Sequence, residues 1–321
     1  MSVRVIIMAF KRGISMENRS DIEREIKEAM ESGKYKIAGL DMFDMVDEIK
    51  LSENLKNHMK DAENYFYEYL DDISMLKDSK PGLSEYLNAI KAGDIIDNQS
   101  LEKENSFLIG LQMQIQREAA IDKLIRYSKE GKEITKKDIL RVHNTLLRGT
   151  SSEENKLVRD KNDKFVGHFE GNTRVIDYFP IDYRDINVAL QKLADLYNAR
   201  LSGEVYDNVF IQPFLIHGLY GAVQAFSDGN TRFGRIMQHV LMWQLINEKT
   251  NFNFDLPPIY ATRCYYPLRG KYRGLIGDLV KKNDEEAWNE WFLFNLNRIE
   301  DQIDRSNENI NMMKRRSKIR F

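Results

Sequence analysis

Apolar residues recur at spacings of three and four along much of this chain, most evenly over Asp21 to Met30, Ser52 to Ile73 and Leu111 to Tyr127. That period lines one face of an α-helix, so each stretch is expected to be an amphipathic helix. Ile211, Leu215, Leu219, Ala222 and Phe226 keep the same spacing and read as a buried helix. Asp228-Gly229-Asn230 breaks it with turn chemistry, and a second apolar helix follows through Ile236, Val240, Leu241 and Leu245. Phe165 to Pro180 differs: two short β runs flank Glu170-Gly171-Asn172, which is a hairpin signal. Asp78-Ser79-Lys80-Pro81-Gly82 is the clearest breaker in the first third. No internal repeat or low-complexity stretch interrupts the pattern. The expected fold class is all-α, a helical bundle carrying one small β-hairpin and a helical N-terminal region.

Composition narrows the function. With 321 residues the chain can bury a sizeable core in one large or two modest domains. Its 48 basic and 50 acidic side chains leave a net charge of −2, so nothing indicates nucleic acid as a partner. Lys314 to Arg320 forms a local basic run of the kind that usually ends a chain as a solvated tail. The single cysteine, Cys264, excludes an internal disulfide and fits a reducing compartment; no activating base accompanies it, so it reads as filler. The opening Met1 to Arg12 is too short in its uncharged run for a signal sequence, and no stretch approaches a membrane span. The expectation is a cytoplasmic protein with no membrane partner.

The break between the two apolar helices carries the chemistry. A loop entering a helix N-terminus presents backbone N–H groups where the helix dipole favours negative charge. Arg232 and Arg235, three residues apart, share the first turn and are expected to face that loop. Asp228, one residue before the turn, can hold a divalent metal that bridges phosphate oxygens. Gly229, Asn230, Thr231, Arg232 and Arg235 are therefore the expected nucleotide-phosphate contacts.

The loop resembles the signature of the Fic family, H-x-F-x-[D/E]-G-N-[G/K]-R-x-x-R, through Phe226, Asp228, Gly229, Asn230, Arg232 and Arg235. Two positions depart: Thr231 mildly, and Gln224, which stands at the catalytic histidine. Ile211-Gln212-Pro213-Phe214 with His217 resembles the start of the family's motif helix, and Val166-Gly167-His168 its hairpin flap. Tyr272-Arg273-Gly274-Leu275 and Trp288 to Leu296 resemble the closing helices, so the likeness spans roughly residues 100 to 305. It implies a helical N-terminal region over 1–100, a Fic-like domain over 101–305 and a basic tail over 306–321. It also implies transfer of AMP from ATP, with Mg2+, to a hydroxyl on a target protein or a small molecule. The flap would seat the acceptor segment by strand addition. Homo-oligomerisation stays open.

Gln224 and Asn230 are the expected catalytic positions, but glutamine has no titratable site and cannot act as a base. Positioning and charge stabilisation, which carry most of phosphoryl-type transfer, would survive. Aligning Gly110 with the family's inhibitory helix puts Ile109 where its braking glutamate stands, and isoleucine cannot pair with arginine; Glu102 or Glu104 is the alternative. Three readings remain: a transferase whose acceptor is already ionised or whose base is His168; a pseudoenzyme that binds nucleotide or a partner; and an AMP-removing enzyme, which Ile109 argues against. Tyr265, Tyr266 and Tyr272 are candidates to stack on a base.

Overall fold

The computed structural model describes residues 24, 26–78, 82–101, 107–149, 158–170, 173–199, 201, 203 and 205–318. Among these, the long helices are α1 (Glu53–Ser74), α2 (Leu83–Leu101), α3 (Phe107–Lys129) and α4 (Lys136–Leu147), then α5 (Ile186–Asn198), α6 (Ile211–Val223), α7 (Asn230–Lys249), α8 (Arg269–Lys281) and α9 (Glu285–Lys318). Between α4 and α5 lies the one sheet among the described residues, an antiparallel pair of β1 (Val166–Glu170) and β2 (Thr173–Tyr178). The chain is all-α with a small hairpin, as its periodicity requires.

Local signals explain the element ends. The Ser52 side chain accepts from the Leu55 N–H and starts α1, whose Leu55, Met59, Ala62, Phe66, Tyr69, Leu70 and Ile73 bury one stripe. Thr135 and Asp138 form a reciprocal capping box that starts α4. Helix α3 contains the expected Leu111 to Tyr127 and extends past it at both ends. Of Asp21 to Met30, the described part is helical, and Ile26 is buried.

Helices α6 and α7 form the centre. Every residue of α6 is buried, and the two helices share the most extensive packing of any pair. Gly234 permits that approach: a Cβ there would lie 3.1 Å from His217 Cδ2 and 3.4 Å from the His217 carbonyl oxygen. Helices α1 and α9 pack together on one side. Phe66 of α1 meets Phe210 at 5.3 Å, and the Tyr69 hydroxyl donates to the Pro258 carbonyl at 2.7 Å. One apolar core therefore runs from Ala38 to Ile310. Helix α9 continues unbroken across Arg305 and Ser306, with Ser306 and Ile310 buried, so helical structure passes through the point where a tail was expected.

The hairpin is tied to the N-terminal region at its root. The Ala38 N–H donates to the Phe179 carbonyl at 2.8 Å and the Phe179 N–H to the Lys36 carbonyl at 2.9 Å. Ile26, Phe165, Ile176 and Phe179 bury a small second cluster beneath it. Because the space beside Gly234 is filled by α6, Gly234→Val should overpack the central pair and cost about 1–3 kcal/mol in denaturant unfolding. An unchanged midpoint would show that α6 and α7 can separate freely.

Candidate functional site

The break between α6 and α7 falls earlier than the residue pattern suggests. Helix α6 stops at Val223, and Gln224 adopts a left-handed conformation with φ 49° and ψ 50°. Phe226 therefore lies in the loop and not on the helix. The reason is competition for backbone groups. The Arg159 N–H donates to the Ala225 carbonyl at 3.1 Å, Val158 and Phe226 form an antiparallel bridge, and Arg159 Nε donates to the Gln224 carbonyl at 2.8 Å. The strand-like segment at Val158 and Arg159 takes up groups that helix continuation would use. Arg159 is a buried cation whose burial lowers its pKa to about 10, so it stays charged at neutral pH.

Asn230 closes the loop. Its Oδ1 accepts from the Phe226 N–H at 3.0 Å and its Nδ2 donates to the Phe226 carbonyl at 2.7 Å, a reciprocal pair that fixes both backbone groups. Gly229 supplies the second left-handed residue, at φ 79°. His143, on α4, supports the turn from below. Its ring stacks on Phe226 at 3.6 Å between centroids, and Nε2 donates to the Asp228 carbonyl at 2.9 Å. Burial pushes the His143 pKa down to about 3, which keeps the ring neutral. A Cβ on Gly229 would come within 3.0 Å of His143 Nε2, so glycine is required there by both backbone and neighbour.

The charged residues divide. Asp228 Oδ1 accepts from the Gly229 N–H at 2.6 Å, and Oδ2 accepts from Arg232 at 3.0 Å. The carboxylate side chain keeps 43% exposure, and Arg232 Nε is buried with no hydrogen-bond partner. Arg232 thus faces the loop as expected. Arg235 points inward: it is 1% exposed, and its charge acts on the buried His217 and Tyr265. The structure therefore separates two arginines that spacing alone placed together. Thr231 occupies the first turn of α7 beside them.

Gln224 is locked. Its Nε2 donates to the Gly221 carbonyl at 2.6 Å, and its Oε1 accepts from Lys164 Nζ at 3.1 Å. Lys164 also reaches the Ser227 carbonyl at 3.0 Å and the Phe226 carbonyl at 3.5 Å. This lysine, immediately before the hairpin, was missed from the sequence; a basic residue preceding a β run carries no signal by itself. Of the flap residues, Val166 and Gly167 pair with Tyr178 and Ile176 across a register irregularity, and His168 pairs with Val175, its side chain lying outside the described residues. Ile109 falls in the first turn of α3, with its side chain likewise outside the description, and Glu102 and Glu104 lie outside it altogether.

Other candidates resolve as structure. The Tyr265 hydroxyl donates to Asn295 at 2.6 Å and Tyr272 bonds His217 at 2.8 Å, both in the core, while Tyr266 is half exposed. Burial raises the Cys264 thiol to about 11, which makes it unreactive. Among the described residues no cluster of three or more His, Cys, Asp or Glu could hold a metal, so a cation would rest on Asp228 alone. One carboxylate plus substrate phosphates is the usual arrangement for magnesium, and the exposed Asp228 carboxylate fits it. Clefts of about 600 and 480 Å3 lie elsewhere, neither lined by loop residues. Among the described residues no helix is long and apolar enough to cross a membrane.

Residues 133–242, which run through α4, the hairpin, α5, α6 and the first part of α7, match the model of the Fic/DOC family. No curated protein matches the sequence. Among solved structures the chain is similar to a Fic family protein from Desulfovibrio desulfuricans G20. The two are 16% identical over 93% of this chain and 76% of that one, with a TM-score of 0.47. It is also similar to a fragment of Fic-1 from C. elegans, 18% identical over 91% and 73% of the respective chains, with a TM-score of 0.37.

The neutral His143 gives a pH test. Its folded pKa is depressed to about 3 from 6.5, so the unfolded chain binds the extra proton, and stability falls as pH drops from about 6.5 toward 3. His143→Gln should make the stability slope in that window shallower by up to about 1.4 kcal/mol per pH unit. Equal slopes in urea titrations of the two proteins would show that His143 is charged in the fold.

Proposed function

We propose that this protein, whose residues 133–242 match the Fic/DOC family model, binds a magnesium-nucleoside triphosphate at the 224–232 loop and acts as a nucleotidyltransferase of altered chemistry. The observation that carries the reading is the conjunction at the α7 N-terminus. Helix α7 starts beside the Asp228 carboxylate and Arg232, whose Nε is buried with no hydrogen-bond partner, and this supports the reading. Asp228 would hold magnesium, which would supply positive charge to neutralise the phosphates. Arg232 would leave Asp228 for the phosphates, and the N–H groups of Asn230 and Thr231 would complete the cradle. Asn230 keeps the turn in register through its two bonds to Phe226. Val166 and Gly167 belong to the hairpin that would align an acceptor segment.

Among the described side chains at the loop none is placed as a base, and the side chain of His168 lies outside the described residues. Gln224 is not titratable, His143 spends its Nε2 proton on a carbonyl, and Lys164 Nζ donates to three oxygens. An acceptor oxygen already ionised at neutral pH, on a target protein or a small molecule, would need no base at the loop. It would attack the α-phosphorus and release pyrophosphate with no proton to remove.

A second reading is a binding module without turnover. The non-titratable Gln224 at the position of the family's base favours it.

Calorimetry tests the nucleotide claim. Arg232→Ala should weaken Mg-ATP binding about tenfold or more, the range for a charge-assisted bond. Asp228→Ala should remove the magnesium-dependent part of the affinity and leave the remainder. Wild-type protein that binds neither ATP, GTP nor CTP would overturn the reading. Gln224→His separates the two alternatives: new labelling of protein from α-labelled ATP would indicate a lost base, about 10²-fold at the low end for general base catalysis. Loss of an existing reaction would indicate a rebuilt site.

A further inference from the structure

Lys164 is the cation that neither the motif nor the expected clamp includes. It reaches the loop from outside the α6–α7 pair, from the residue that leads into Phe165 and β1. Its Nζ lies 3.1 Å from Gln224 Oε1, 3.0 Å from the Ser227 carbonyl and 3.5 Å from the Phe226 carbonyl. Arg232 meets Asp228, the next residue along, at 3.0 Å. The charges of Lys164 and Arg232 both act on His143, the ring beneath the turn, so they belong to the same end of the loop. Lys164, Arg232 and Asp228 thus gather at a helix N-terminus, whose field favours an anion.

The orientation of Gln224 follows from this arrangement. With Nε2 on the Gly221 carbonyl, the amide must turn its oxygen toward Lys164, because the flipped amide would set NH2 against an ammonium. A neutral acceptor at position 224 thus holds a cation in place, whereas an imidazolium there would repel it. Glutamine at 224 and lysine at 164 are chemically matched.

We propose that Lys164 is a phosphate-binding residue of this site and that Gln224 is its positioning residue, so that the loop binds the triphosphate through a Lys164–Arg232 pair. The proposal rests on the nucleotide-binding reading above. It names a second cation at the loop, partly exposed where Arg232 is 6% and Arg235 1% exposed. Lysine suits the role as a compact point charge on a flexible stem, able to turn from the loop carbonyls to a phosphate oxygen without moving the backbone.

A double-mutant cycle read by calorimetry with Mg-ATP tests it. Lys164→Gln should weaken binding about tenfold, and Lys164→Arg, which keeps the charge, should weaken it less. Gln224→Leu should weaken binding in the wild-type background and have no further effect beside Lys164→Gln, because Gln224 acts only through the lysine. Circular dichroism and thermal midpoints accompany each variant, and Lys164→Arg serves if Lys164→Gln fails to fold. Wild-type binding with undiminished affinity in Lys164→Gln would overturn the proposal and leave the nucleotide reading standing. Equal losses from Gln224→Leu with and without Lys164 would overturn the positioning role. No binding by wild type would overturn the nucleotide reading itself, and this assignment with it.

Discussion

The site depends on one asparagine side chain. Asn230 returns both of its polar atoms to the backbone of Phe226, four residues earlier, and so converts a flexible connection into a closed ring of fixed shape. Everything else at the loop is arranged on that ring. His143 can stack on Phe226 and reach the Asp228 carbonyl only because both are held at a set distance. Arg232 and Asp228 can pair because the turn between them has one conformation. A buried backbone group left unpaired costs roughly 1–3 kcal/mol, so the two bonds also remove a penalty that would otherwise fall on the loop.

Three buried side chains back the loop and the helix that leads into it. His143, with its pKa near 3, and His217, buried and bonded to Tyr272, are permanent neutral groups rather than proton carriers. Arg159 contributes charge, but spends it on the carbonyls of Gln224 and Ile181. The inner side is thus a framework; Asp228 and Lys164 are partly exposed at the loop, and Arg232, only 6% exposed, pairs with Asp228.

Much of the fold was legible from periodicity. Ser52 and the stripe behind it set α1, and alternation around Glu170-Gly171-Asn172 set the hairpin, because those signals are local. The loop itself was legible from Asp228-Gly229-Asn230. Three features were not. The early end of α6 depends on Val158 and Arg159, over sixty residues away in sequence, claiming backbone groups at Ala225 and Gln224. The burial of Arg235 depends on how α7 rotates against α6 and the aromatic residues beyond it, and spacing within one helix says nothing of that. Lys164 reaches the loop only through the course of the chain between α4 and the hairpin. Each miss is a long-range contact that overrode a correct local reading.

The contact between Phe66 and Phe210, together with the Tyr69 hydroxyl on the Pro258 carbonyl, has a bearing on modularity. Residues 133–242 carry the loop, the hairpin and the paired central helices, yet they are not a detachable cassette. Helix α1, before them in the chain, and the long α9, after them, pack together as a clasp. Cutting the cassette free would strip apolar cover from Phe210 and Phe214 and turn a core into a sticky surface. Any transplant of this loop into another protein therefore has to bring its clasp along, and insertions tolerated by the clasp are a route by which such a fold can diversify without disturbing its loop.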